Sequence, residues 1–342
     1  MYFNRRHIIT LLITLVIVFF LSYYKLDYYI YQPGDIRALD GVVEVEDGSS
    51  SEGEMNLVTV RGGQATPIYY LWAKIRPYHD IYDLEDVRPE GVSQDEYMEA
   101  QLHFMESSQE AATVVAFQAA GEEITIGYDG VYVGLVMENM PAFGVLEVGD
   151  QIIEVEGVPV SSGDEVVELT SDKSIGDELQ LTVLREEEEV EVSIELAPLG
   201  ETPERPGMGI SLVTDRSVSH DREVTYDSGR IGGPSAGLIF ALEVYDQLTE
   251  EDVTKGYQIV ATGEIDYDGS VYPIGGIDKK VVAADEAGAD LFFAPNEDGR
   301  EGSNYEVAKE TAEDIESDME VVPVDEFQDA LEYLEGLPVK AS

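Results

Sequence analysis

Gly232-Gly233-Pro234-Ser235-Ala236-Gly237, continuing into the apolar run Leu238-Ile239-Phe240-Ala241-Leu242-Glu243-Val244-Tyr245, is the stretch around which the rest of the chain can be ordered. Two glycines allow a tight backbone, Pro234 fixes φ, and Ser235 then stands uncrowded among small residues where a helical segment begins. The first N–H groups of a helix have no partner inside it. The stretch therefore offers both a hydroxyl and donors for the oxyanion that attack by that hydroxyl would create. Gly233, Pro234, Ser235 and Ala236 are the backbone positions expected at that oxyanion. A loop closed by an ordinary serine N-cap fits the same residues, and the stretch alone leaves both readings open.

A nucleophile needs a base. The four histidines, His7, His79, His103 and His220, are scattered and lack the H-x-x-x-H or H-E-x-x-H spacing of a metal site. There is no cysteine, which excludes disulfides, thiolate catalysis and Cys-based zinc sites; no cofactor and no metal is expected. A lysine can take the serine proton if burial lowers its pKa from about 10.4 toward neutrality. Lys280, in Pro273-Ile274-Gly275-Gly276-Ile277-Asp278-Lys279-Lys280-Val281-Val282-Ala283-Ala284, leads an apolar helical start that could desolvate it. Snorkelling at a helix surface is the plainer role for such a side chain. A triad of Ser235 with His220 and Asp221 is disfavoured, because adjacent residues do not readily bring both side chains into line with one serine.

Three ordered stretches, the serine loop, Thr262-Gly263-Glu264-Ile265 and the Lys280 segment, resemble the Lon-type Ser–Lys proteases. Those carry a G-P-S-A-G serine, a T-G-E-[IV] strand and a P-I-G-G-[IL]-x-x-K-x-x-A-A segment. The resemblance implies Ser235 as nucleophile, Lys280 as base and Thr262 as the hydroxyl supporting the lysine. It departs from the family at Gly232, where an acidic residue is common, and at Asp221 and Glu223, where histidines are common.

With 342 residues the chain has room for two or three domains. Twenty Lys and Arg against 71 Asp and Glu give a net charge of −51, spread along the chain. Long-range repulsion then excludes a general binder of nucleic acid or of anionic membranes. Self-repulsion that salt screens suggests a halophilic source, so the unfolding temperature should rise between low and molar salt. Residues 1–6, with Arg5 and Arg6, read as a cytoplasmic N-terminus, and 7–25 as an uncleaved transmembrane signal anchor. A cleaved signal peptide is the alternative. The expected location is the cell membrane, single-pass, with the protease on the extracytoplasmic side.

Residues 31–120 form an extracytoplasmic region that ends in a helix from Ser93 to Ala119. Asp80 to Val92 reads as acidic and irregular. Phe104-Met105-Glu106-Ser107-Ser108 is similar to the early helix of Lon protease domains, which would make this region the first part of the protease fold; a separate subdomain is the alternative.

Residues 121–198 change character, with short strands punctuated by glycine and one helix, Ser162 to Ser171, expected to turn Val166, Val167 and Leu169 inward. The run Leu146-Glu147-Val148-Gly149-Asp150-Gln151-Ile152-Ile153-Glu154-Val155-Glu156-Gly157 resembles the bacterial PDZ hallmark. That resemblance implies strand addition of an extended peptide between Gly130–Val136 and the helix, with Gly130, Val131, Tyr132, Val133, Gly134, Val166 and Val167 at the groove. Pro198 to Pro206 reads as a linker, and 205–338 as the Lon-type Ser–Lys protease domain. The expected fold is α+β with α/β-like layers: a Lon-type proteolytic domain, a PDZ β-sandwich and an N-terminal transmembrane helix.

The order anchor, PDZ, protease is similar to that of the membrane-anchored SepM/YlbL-type proteases. The implied function is an ATP-independent serine endopeptidase cleaving secreted peptides or unstructured segments. No G-x-x-x-x-G-K-[ST] accompanies it, so no ATP is expected. Peptide or unfolded protein substrates are the expected partners, and a homo-oligomer enters only by family analogy. An inactive PDZ scaffold that binds peptides at the membrane is the alternative.

Overall fold

The computed structural model describes residues 5–88, 93–186, 188–199 and 202–340. They form two units: residues up to Glu123 together with those from Asp221 onward, and the intervening Ile124–His220. Helices and strands are mixed in an α+β arrangement.

The discontinuous unit is built on one six-stranded sheet, in the order Glu320–Val324, Leu291–Pro295, Gln258–Ala261, Glu54–Gln64, Tyr28–Ala38, Asp80–Asp83. The first four run parallel and the last two pair antiparallel. Residues from the first hundred and from the last hundred thus share a sheet, joined where Gln258, Ile259 and Val260 pair with Glu54, Met55 and Asn56. Leu291–Pro295 is buried throughout, as befits an inner parallel strand covered on both faces. Asp80–Asp83, read above as irregular, is an edge strand on Tyr28–Tyr31: an edge tolerates its charges while Ile81 packs against Ile30 and Ala73.

Two helices pack together over this sheet. The longer, Gln94–Ala120, opens with a capping box between Ser93 and Glu96 and closes at Gly121, whose φ of 72° lies in the left-handed region that favours glycine. The shorter, Gly237–Leu248, has every residue from Gly237 to Val244 buried, so it is a core helix without a solvent face. Burial of Leu238, Ile239, Phe240, Leu242 and Val244 contributes on the order of 10 kcal/mol of gross transfer free energy, which fixes the serine loop at the helix's entrance.

In the second unit the sheet order is Ile210–His220, Ile124–Val136, Gln151–Val155, Glu178–Arg185, Glu188–Glu195, covered by the helix Gly163–Ser171. Its core includes Val131, Val133, Ile152, Val166, Leu179 and Leu181. Asp150, of the Gly-Asp hallmark, is buried and held bidentately by Arg185, at 2.7 and 2.6 Å. Burial raises its pKa, but Arg185 and the Glu147 N–H outweigh that and hold it low. The hallmark aspartate is therefore a structural tie.

Three expectations change here. Residues 210–220, assigned above to the protease domain, are hydrogen-bonded along their whole length to 124–136. The linker over Pro198 to Pro206 contains a hairpin, Ala197–Leu199 with Thr202–Gly207; residues 200 and 201 lie outside the described set. Val167 is 47% exposed while Val166 is 1% exposed, because one residue along a helix turns the side chain by about 100° and only Val166 faces the core.

The N-terminal helix Arg5–Tyr23 is 19 residues long, with a mean hydropathy of 2.0 over its most apolar window and no burial. At about 1.5 Å per residue it is close to the ~30 Å of a bilayer's hydrocarbon core.

Candidate active site

Ser235 lies two residues before the first turn of the helix Gly237–Leu248, in a loop held from three sides. Gly233 takes φ 98° and its N–H donates to the Gln101 carbonyl at 2.7 Å. Ser108 Oγ donates to the Pro234 carbonyl at 2.9 Å. The Ser235 carbonyl accepts from the Gly263 N–H at 3.0 Å and from Thr262 Oγ1 at 2.9 Å. Gly237 presses on Ile265 and Ser108, where an added Cβ would come within 2.6 Å of Ile265 Cγ2. At Gly232 an added Cβ would lie 2.7 Å from Gln101 Cβ, which explains why no acidic side chain stands there.

Lys280 reaches this loop from the helix Ile277–Glu286. Its Nζ is 2.7 Å from Ser235 Oγ and 2.8 Å from Thr262 Oγ1. Lys280 is 3% exposed, and burial alone lowers its amine to about 7. Lys279, next along the same helix, is equally buried and has the opposite fate. Burial lowers its pKa, but Asp80 and Asp278 outweigh that and raise it. One lysine is paired with two carboxylates; among the described residues the other has two hydroxyls as its hydrogen-bond partners.

The hydrogen-bond directions follow from proton counting. The single proton of Thr262 is committed to the Ser235 carbonyl, so Thr262 Oγ1 accepts from Lys280. A neutral Lys280 then keeps one lone pair for the proton on Ser235 Oγ.

A cleft of about 580 Å³ opens in front of Ser235, walled by Val58–Arg61, Tyr97 and Gln101 of the long helix, Arg230–Gly233 and Pro273–Gly275. The strand Glu54–Gln64 borders it past Asn56, where its pairing with Gln258–Ala261 ends.

The sequence-expected residues fall in two groups. Ser235, Lys280 and Thr262 are brought within hydrogen-bonding distance of one another. Of the four oxyanion positions, Gly233 has its N–H engaged with Gln101 and Pro234 has none to give, which leaves Ser235 and Ala236. The groove residues Gly130, Val131, Tyr132, Val133 and Gly134 do not sit at an open edge. Val131 pairs with Thr214 on one side and Ile152 on the other, Tyr132 with Val213 and Gln151, and both hydrogen-bonding groups of Val133 are engaged by loop residues. A strand paired on both sides cannot take a third, so strand addition there is ruled out. Ile210–His220 is the outer strand, with Gly163 of the helix donating to Thr214 Oγ1 at 2.8 Å. The sequence signal for it was Gly207-Met208-Gly209 ahead of an alternating run. Gln101 and Ser108 were missed as supports of the serine loop.

Comparison with known proteins matches residues 115–196 to the PDZ domain family and residues 198–335 to the Lon protease C-terminal proteolytic domain. The second match begins upstream of Asp221, where the chain re-enters the catalytic unit. The Lon protease of Campylobacter jejuni is 28% identical over 198 residues, 54% of this chain and 22% of its own length. Lon protease 1 of Thermus thermophilus is 37% identical over 102 residues, 30% of this chain and 12% of its own length. The chain thus spans less than a quarter of either relative. A crystal structure of the PDZ domain of an SdrC-like protein from Listeria innocua is 34% identical, covering 25% of this chain and 93% of that one, at a TM-score of 0.23. The class is that of a PDZ domain joined to a Lon-type proteolytic domain. In domain content the chain is thus PDZ-containing and Lon-like, as the two matches and the Lon protease relatives agree.

Proposed function

We propose that this chain is an ATP-independent, membrane-anchored serine endopeptidase that cuts extended peptide segments with a Ser–Lys dyad. The observation that carries the reading is the 2.7 Å approach of a desolvated Lys280 to Ser235 Oγ, with no carboxylate paired to the amine among the described residues. Lys280 takes the proton as Ser235 Oγ attacks the scissile carbonyl, and the N–H groups of Ser235 and Ala236 stabilise the oxyanion. As the tetrahedral adduct collapses, the C–N bond breaks and Lys280 returns the proton to the leaving amine. Water, deprotonated by the same amine, then releases the acid and restores the serine. Thr262 keeps the lone pair of Lys280 aimed at Ser235.

The substrate segment lies extended in the cleft along Val58–Arg61, whose edge past Asn56 is available for backbone hydrogen bonds. The PDZ unit docks a further part of the substrate on the outer edge of Ile210–His220, beside the helix Gly163–Ser171. Docking raises the effective concentration of the segment at the dyad. The helix Arg5–Tyr23 spans the membrane, and the remainder lies on its extracytoplasmic side.

The test is to incubate the full chain, in vesicles and molar salt, with casein as an unstructured substrate. Cleavage that Ser235→Ala abolishes is expected. Equal cleavage by parent and variant sinks the nucleophile. A parent that binds peptides but cuts none across a panel of unstructured substrates favours the inactive scaffold.

A further inference from the structure

Beside the N-terminal helix the catalytic unit carries a second apolar surface. Ile68, Leu71, Trp72 and Ile75 are 54, 64, 41 and 78% exposed. They stand at i, i+3, i+4 and i+7 on the short helix Pro67–Ala73 and the turn that continues it, the spacing of a single apolar stripe. A stripe of that spacing usually faces a core; here it faces out. The core side of the same helix is made by Ala73, Tyr69 and Tyr70, which pack with Ile30 and with Leu26 just past the N-terminal helix. Leu26 N–H donates to the Ala65 carbonyl at 2.9 Å, so the stripe is tied to the point where the chain leaves Arg5–Tyr23.

The local charge points the same way. In a chain with 71 acidic residues among 342, none occurs from Met55 to His79, while Arg61, Lys74 and Arg76 do. Lys74 sits over the Tyr70 ring at 4.7 Å and Arg76 over Trp72 at 4.9 Å. An apolar stripe flanked by basic side chains and aromatic rings is the composition of a segment lying in a bilayer interface. The net charge of −51 argues against the chain as a whole binding an anionic surface, but it does not describe this acid-free stretch.

We propose that the face formed by Ile68, Leu71, Trp72 and Ile75 is embedded in the lipid interface next to the spanning helix, with Lys74 and Arg76 at the phosphate level. This rests on the anchor reading above, and it adds a second point of attachment that would hold the catalytic unit at a fixed height over the membrane instead of on a swinging tether.

Trp72 is the chain's one tryptophan, so its fluorescence reports this face alone. The full chain is reconstituted into phosphatidylcholine–phosphatidylglycerol vesicles, with and without bromine on the shallow acyl carbons, and flotation is measured in parallel. The expected result is flotation with the vesicles, roughly twofold quenching of Trp72 by brominated lipid, and loss of that quenching but not of flotation in Leu71→Asp with Ile75→Asp. Flotation with Trp72 unquenched by lipid overturns the proposal and leaves the anchor standing. In that case strong acrylamide quenching means a bare face, and weak quenching a face covered by protein. A chain that stays at the bottom of the gradient overturns both readings.

Discussion

The helix Gly237–Leu248 has a titratable site at each end, and the two are mirror images. At its entrance Lys280 is a buried amine with hydroxyl neighbours, lowered to about 7. In its second half Glu243 is a buried carboxyl, raised by burial first and by Asp246 and Asp40 after it, also to about 7 despite a hydrogen bond from Gln247. Asp246, raised by burial as well, accepts from Ser51 Oγ and the Val253 N–H, and both carboxyls border a cavity of about 440 Å³ under residues 40–55. One physical cause, desolvation, moves a cation down and an anion up until they meet near neutrality. The lesson is that an unusual pKa does not by itself mark a catalytic group. What separates the two sites is the partner each group faces: a serine hydroxyl for Lys280, the Gln247 side-chain amide for Glu243.

Their opposite signs make the contrast testable. The largest effect is expected on activity: Lys280→Ala should lower kcat by about a thousandfold or more, and the parent rate should climb as pH rises through about 7, where Lys280 loses its proton. A parent profile flat from pH 6 to 9 argues against Lys280 as base.

Next is stability. Between about 7 and about 10.4 the unfolded chain binds the lysine proton that the folded one does not, so this site makes stability rise with pH, and its penalty is complete below 7. Lys280→Met should therefore be more stable at pH 7, by on the order of 4 kcal/mol, with that slope gone; denaturant melts across pH read both quantities.

Glu243 runs the other way. Its folded value lies above the unfolded one, so stability falls as pH rises from about 4.3 to about 7, and the penalty is complete above that window. Glu243→Gln keeps the acceptor for Gln247 and should gain roughly 3 to 4 kcal/mol at pH 8, with little change at pH 4 and with cleavage intact. Equal gains at both pH values would remove the mirror.

The smallest effect is Thr262→Val, which removes the hydroxyl that orients Lys280 and should cost about tenfold in kcat, near 1.4 kcal/mol. Because Thr262 acts on the base, its variant should also shift the pH midpoint of the rate, which a purely structural defect would not do.

The entrance was legible in the sequence, and the far end was not. Ser235, Thr262 and Lys280 each sit in short runs that resemble Lon-type motifs; local backbone demands left the serine and the lysine with plainer roles, and the resemblance singled out all three. Glu243 stands inside an apolar run, and much of what surrounds this end of the helix, Asp40 beside Glu243 and Ser49 and Ser51 on Asp246, comes from about two hundred residues earlier. Gly130–Val136 failed for the same reason. Its strand character is local, but whether its edge is open depends on Ile210–His220 returning to pair with it. The long helix was placed to within a residue or so, since Ser93, Glu96 and Gly121 mark its ends chemically.

That returning strand also settles how the chain passes through the PDZ unit. Ile124 and His220 are register partners, so the chain enters and leaves at points only about 5 Å apart. To the catalytic unit, the ninety-seven residues from Ile124 to His220 are an ornament on a closed loop: cut at the neck, Glu123 and Asp221 could be rejoined by a tight turn. Lineages could thus gain, lose or exchange the inserted unit in a single recombination event without re-routing the fold that carries Ser235 and Lys280.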